Sequence, residues 1–141
     1  MKTLRCCLLL LAALTLGARA QVSVEIELDQ DQFLPGEEML AAVKITNRSG
    51  DVLQFRRTSE WLTLQVEGDG GFAALASSEL PDGTGFSLAS PRLATKRLNI
   101  EPFFQLTKPG RYKLVAQMRL PGFDQPIVSP VKKFDIISGT K

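Results

Sequence analysis

Between residues 112 and 120 every second side chain is apolar or aromatic: Tyr112, Leu114, Ala116, Met118 and Leu120. Successive side chains on an extended backbone point to opposite faces, so this segment is a strand with one face buried; a helix would scatter the five around its circumference. Val22–Leu28 repeats the pattern, with Val22, Val24, Ile26 and Leu28 alternating with Ser23, Glu25 and Glu27. No segment carries a convincing helical period. The chain is thereby constrained to an all-β fold whose sheets cover one another's apolar faces.

Further strands are expected at 39–46, where Ala41, Val43 and Ile45 share a face, at 52–55, and at 61–67, with Leu62, Leu64 and Val66 on one side. Others are expected at 72–75, 97–104 and 127–137, the last with a less regular alternation. The turn Phe33 to Glu37 with its Pro35-Gly36, the stretch from Gly68 to Gly71, and Pro121-Gly122 join them, because proline presets φ and glycine accepts a positive one. Residues 47–51 read as a loop. From 76 to 95 Ser, Pro, Gly and Ala predominate without a period, which reads as a long connection with at most a short strand around 86–88. About seven or eight short strands in about 120 residues predict an antiparallel, two-layered β-sandwich of Greek-key type.

The first twenty residues have the pattern of a signal peptide. Lys2 and Arg5 precede an apolar run, and Ala18 and Ala20 place small residues at both recognition positions for cleavage before Gln21. The apolar run is shorter than the roughly 20 residues a membrane-spanning helix needs. Export predicts a secreted or periplasmic protein: residues 1–20 a signal peptide, 21–137 one domain, and 138–141 a tail or the start of a linker. Cleavage would remove Lys2, Arg5 and Arg19, leaving 14 basic residues (17 less those three) against 15 acidic ones, so a formal charge of +2 becomes −1. The basic balance of the whole chain is therefore no footprint for nucleic acid or an anionic membrane. Both cysteines, Cys6 and Cys7, lie in the leader, and there is no histidine. A mature disulfide, a His-ligated metal and a Ser-His-Asp triad are excluded, and no cofactor is implied.

Tyr112, just inside a strand and preceded by Leu106 and Pro109-Gly110, resembles the tyrosine corner of immunoglobulin-like and fibronectin-III-like domains. The segment from Ala41 to Asn47 resembles the second strand of such domains. The resemblance implies that the Tyr112 phenol caps the connection into its strand, with Pro109 and Gly110 shaping the corner. The antibody-type inter-sheet cysteines are missing. A looser resemblance spans 47–72, through Asn47-Arg48-Ser49, 52–55, 61–66 and Gly70-Gly71-Phe72. It is to small bacterial immunoglobulin-like domains related to an intracellular proteinase inhibitor, and it implies a binding module.

Arg56-Arg57-Thr58-Ser59-Glu60-Trp61 gathers two cations, two hydroxyls and an indole at one strand junction. An exposed Trp61 beside Arg56 and Arg57 could stack on a sugar ring or a peptide proline. Alternatively, Trp61 packs on a sheet edge with arginine stems over it. Glu25 and Glu27 read as a solvated strand face rather than a catalytic pair, which would need opposed carboxyls and burial. Asp29-Gln30-Asp31-Gln32 reads as a strand-end turn, lacking the glycine and the distal glutamate of a calcium loop. Lys96-Arg97 and Lys132-Lys133 read as solvated strand positions. The sequence thus predicts a non-enzymatic module with a protein partner, binding neither nucleic acid nor membrane once cleaved. The alternative is a carbohydrate-binding or weakly glycan-active protein using Trp61 and surface carboxylates.

Overall fold

A computed structural model describes residues 21–69, 71–72 and 85–139. Residues 1–20, read as a signal peptide and including Ala18 and Ala20, lie outside the described residues, as do 73–75 of one expected strand and 76–84 of the expected connection. The described chain is all-β, with eleven strands and no α-helix: β1 Val22–Leu28, β2 Gln32–Phe33, β3 Leu40–Asn47, β4 Leu53–Phe55, β5 Leu62–Gly68, β6 Gly71–Phe72, β7 Phe86–Leu88, β8 Arg92–Asn99, β9 Gly110–Met118, β10 Ile127–Val128 and β11 Lys132–Ile136. One sheet has the order β1-β3-β8. The other runs β2-β11-β9-β5-β6, with β10 also on β9, and β4 pairs with β7 in a separate ribbon.

Alternation decides which residues meet. In the first sheet Val24, Ile45 and Ala94 lie side by side, as do Ile26, Val43 and Lys96. In the second, Leu64 is opposite Ala116, and Val66 opposite Leu114. These inward residues, Lys96 apart, join one core with Phe33, Met39, Ile100 and Phe134. Tyr112 stacks on Phe134 at 5.5 Å, and Phe33 meets Phe134 edge-on at 6.1 Å. The outward residues Glu25 and Glu27 are exposed, and the Glu27 carboxylate pairs with Lys44 at 2.7 Å.

The proline-glycine turns form as their chemistry requires. Gly36 has φ +80°, and the Glu37 amide donates to the Leu34 carbonyl at 3.0 Å across Pro35-Gly36. Gly68 meets a different demand: it lies opposite Tyr112, and a Cβ there would sit 2.9 Å from the ring.

Four expectations are corrected. Strand β8 starts at Arg92, inside the expected connection, because Leu93, Ala94 and Thr95 pair with Thr46, Ile45 and Lys44. An edge strand with Leu93 59% exposed shows no clean alternation. The stretch after Asn99 leaves the sheet in a short 3-10 turn, Glu101–Phe103. The expected 127–137 strand is two, β10 and β11. Pro130 between them has no amide to donate, and just before it the buried Ser129 hydroxyl, in place of a backbone carbonyl, accepts the Ala116 amide at 2.9 Å. Phe33, expected in a turn, lies in β2, which runs parallel to β11.

Asn47, expected in a loop, closes β3 and is fully buried. Its side-chain amide donates to the carbonyls of Asp51 and Leu88, both at 2.8 Å, while its Oδ1 accepts from the Ser49 amide and hydroxyl. Every polar atom of the side chain is thereby satisfied at the point where the β3–β8 ladder gives way to the β4–β7 ribbon.

Candidate functional site

Strand β4 sets the site's first wall. Phe55 faces the core, so Gln54 and Arg56, one position to either side, face the other way. The chain then enters a 3-10 turn, Ser59–Trp61, and β5 begins at Leu62. The second wall comes from far along the sequence, where Arg119, Leu120 and Pro121 follow β9. The Arg119 amide donates to the Trp61 carbonyl at 2.8 Å, and the Phe123 amide donates to the Leu120 carbonyl across Pro121-Gly122, with Gly122 at φ +84°. Between the walls lies a cleft of about 260 Å³, to which Thr58 and Glu60 also contribute.

Of the two readings of Trp61, the packed one describes its place: it lines the cleft, but only 8% of its surface is exposed. Its ring packs edge-on against Phe55 at 4.8 Å and Phe86 at 6.3 Å, and those two phenylalanines stack at 4.5 Å. Such pairs contribute roughly 0.5–1.5 kcal/mol each beyond their buried area. The cation over the indole is Lys96, with Nζ 5.6 Å from the ring centroid, rather than Arg56 or Arg57. Lys96 is therefore half-buried on the inward side of β8 and not a solvated strand position.

The arginines separate. Arg56 lines the cleft, whereas Arg57 does not and has its stem against Gly85. Sequence reading missed Arg119, the second guanidinium of the cleft, because it is 58 positions from Trp61 and no local pattern links them. Arg56 and Arg119 are exposed, and among the described residues neither forms an ion pair.

Tyr112 stands apart from the cleft, near the start of β9. Its phenol donates to the Lys108 carbonyl at 2.7 Å, across Pro109 and Gly110. Asp31 pairs with Lys132 at 2.7 Å where β1 gives way to β2. Among the described residues no group of carboxylates is arranged to hold a metal ion.

No protein-family model matches the sequence, and no curated protein matches it. Solved structures do share the fold. The sporulation control protein Spo0M from Bacillus subtilis superposes with a TM-score of 0.57 at 15% identity, over 87% of this chain and 51% of that one. A family 123 glycoside hydrolase from Clostridium perfringens superposes with a TM-score of 0.51 at 9% identity, over 84% of this chain and 28% of that one. The chain thus spans about half the length of Spo0M, and at these identities the likeness is one of all-β fold alone.

Proposed function

We propose that the chain is exported, loses residues 1–20, and works as a non-enzymatic binding module for a partner protein, secreted or periplasmic. Residues 21–137 are read as an immunoglobulin-like sandwich of Greek-key type. Supporting that reading, β1 belongs to one sheet while β2, three residues on, belongs to the other. The Tyr112 phenol also reaches back to a carbonyl just upstream, as a tyrosine corner does.

The binding role rests on one observation: Arg56 and Arg119 stand exposed on two walls of a cleft that the Trp61–Arg119 backbone hydrogen bond ties together. Binding residues placed on loops of a rigid sandwich are the usual arrangement. A protein partner is favoured over a glycan because the indole is packed among Phe55, Phe86 and Lys96 and is almost wholly buried, leaving little ring for a sugar. Glu27 is engaged by Lys44 on an open outer face, which disfavours a hydrolytic carboxylate pair.

The test is a photo-crosslinking amino acid placed at Thr58, beside the cleft, or at Ser23, on the outer face, of the chain expressed in its own host. A defined protein adduct from position 58 and none from 23 supports the reading. Equal adducts, or none from 58, would overturn it. N-terminal mass analysis of the same material should find Gln21 first; an intact Met1 in the cytosolic fraction would contradict export.

A further inference from the structure

We infer that the Trp61 cleft takes a carboxylate side chain from an acidic, extended segment of the partner. This rests on the binding-module reading and names its ligand chemistry. Two guanidinium groups without an ion pair among the described residues face one cleft from independent chain segments. A guanidinium presents a planar fork of donors that matches a carboxylate, and charge-assisted hydrogen bonds are the strong ones. The Thr58 hydroxyl adds a further donor at the wall.

The backbone keeps this arrangement rigid. Arg119 is fixed to Trp61 by its own amide, and Trp61 is fixed by its packing on Phe55 and Phe86. The backbone segments that carry the two arginines are therefore placed before any ligand arrives, so that only their side chains have to be ordered on binding. Leu120 and Pro121 give the same cleft an apolar side. A free inorganic anion leaves that side unused, whereas a polypeptide carrying an acidic side chain covers it with its methylenes. The volume, about 260 Å³, is below that of a typical small-molecule site and suits one side chain with its adjoining backbone. Glu60 opposes this ligand, since its carboxylate lines the same cleft. Its removal should tighten binding, a gain that a purely structural role for these residues would not produce.

The experiment is a titration of the purified chain with hexaglutamate, hexaglutamine and inorganic phosphate, read by the fluorescence of Trp61, the one tryptophan, and by the NMR shift of its indole N–H. Hexaglutamate is expected to shift both signals and to bind about tenfold more tightly than hexaglutamine. Arg56→Gln and Arg119→Gln should each weaken it severalfold, Glu60→Gln should tighten it, and Arg57→Gln, outside the cleft, should leave it unchanged. Binding should weaken as salt rises. Circular dichroism confirms that each variant folds. If hexaglutamine binds equally well, or phosphate saturates the same shift, the carboxylate proposal falls while the module reading stands. If no peptide shifts Trp61 and position 58 gives no crosslink, both fall. An equal loss in Arg57→Gln would also overturn the assignment to this cleft.

Discussion

The Arg119 amide donates to the Trp61 carbonyl at 2.8 Å, joining the exit of β9 to the turn that precedes β5. This bond makes one cleft of two segments that the sequence keeps far apart. Because it is a backbone bond, Arg119→Gln should preserve it and cost less than about 0.5 kcal/mol in urea unfolding, the usual range for an exposed position. Arg119→Pro removes the donor and should cost several times more, about 2–3 kcal/mol.

Asn47 offers the sharpest stability test. Asn47→Ala leaves the buried carbonyl of Leu88 without its donor and opens a hole where β3 meets β4. A loss of about 2–4 kcal/mol is expected, seen as a lower urea midpoint with an unchanged slope. A loss below about 0.5 kcal/mol would show that the side chain is not the pin of that junction.

In the second sheet, Tyr112→Phe keeps the stack on Phe134 and the ring over Gly68, and removes only the bond to Lys108. About 1 kcal/mol should be lost. Gly68→Ala drives a methyl to 2.9 Å from the same ring and should cost about 1–3 kcal/mol, unless the phenol swings away and breaks its bond.

The pH dependence should follow Glu37. Its carboxyl is held below the ordinary value of 4.5 first by the Leu34 amide and then by the Gln30 side chain. The folded state therefore binds fewer protons than the unfolded chain in the window just below that value, and stability rises with pH there. This contribution is complete above the unfolded pKa and is lost as pH falls through the lowered folded one. Glu37→Ala should be less stable than the parent at neutral pH, and the gap should narrow as pH falls below about 4. Thermal melts at stepped pH check this; a gap that widens in acid would contradict it.

Lys96 sits on the inward side of β8, which is an edge strand among the described residues. An inward-pointing charge on an edge strand opposes pairing with another chain, because pairing would strip water from it. Lys96→Leu should self-associate in sedimentation at concentrations where the parent stays as it is, and Lys96→Arg should behave as the parent does.

Strands buried on one face, β1, β3, β5 and β9, were legible because each repeats its apolar residues every second position. The turns at Pro35-Gly36 and Pro121-Gly122 were legible from local chemistry. What the alternation could not reveal was set by remote partners. The part of β8 before Arg97 has an exposed outer face and a lysine inside, so its period is hidden. Trp61 has polar sequence neighbours, yet Phe55, Phe86 and Lys96 cover it. Asn47 carries a turn-former's identity, and only Leu88, 41 positions on, makes it a core residue. Half of the cleft was readable in Arg56 and Trp61; Arg119 enters it only through the pairing of β5 with β9.

The central claim, that the Trp61 cleft is where a partner protein binds, is tested most directly by calorimetric titration. The partner crosslinked at position 58 is titrated into the parent chain and into the Arg56→Gln, Arg119→Gln double variant. A loss of affinity of about tenfold or more is expected, with the melting temperature of the variant unchanged. Equal affinity for the two chains would contradict the claim.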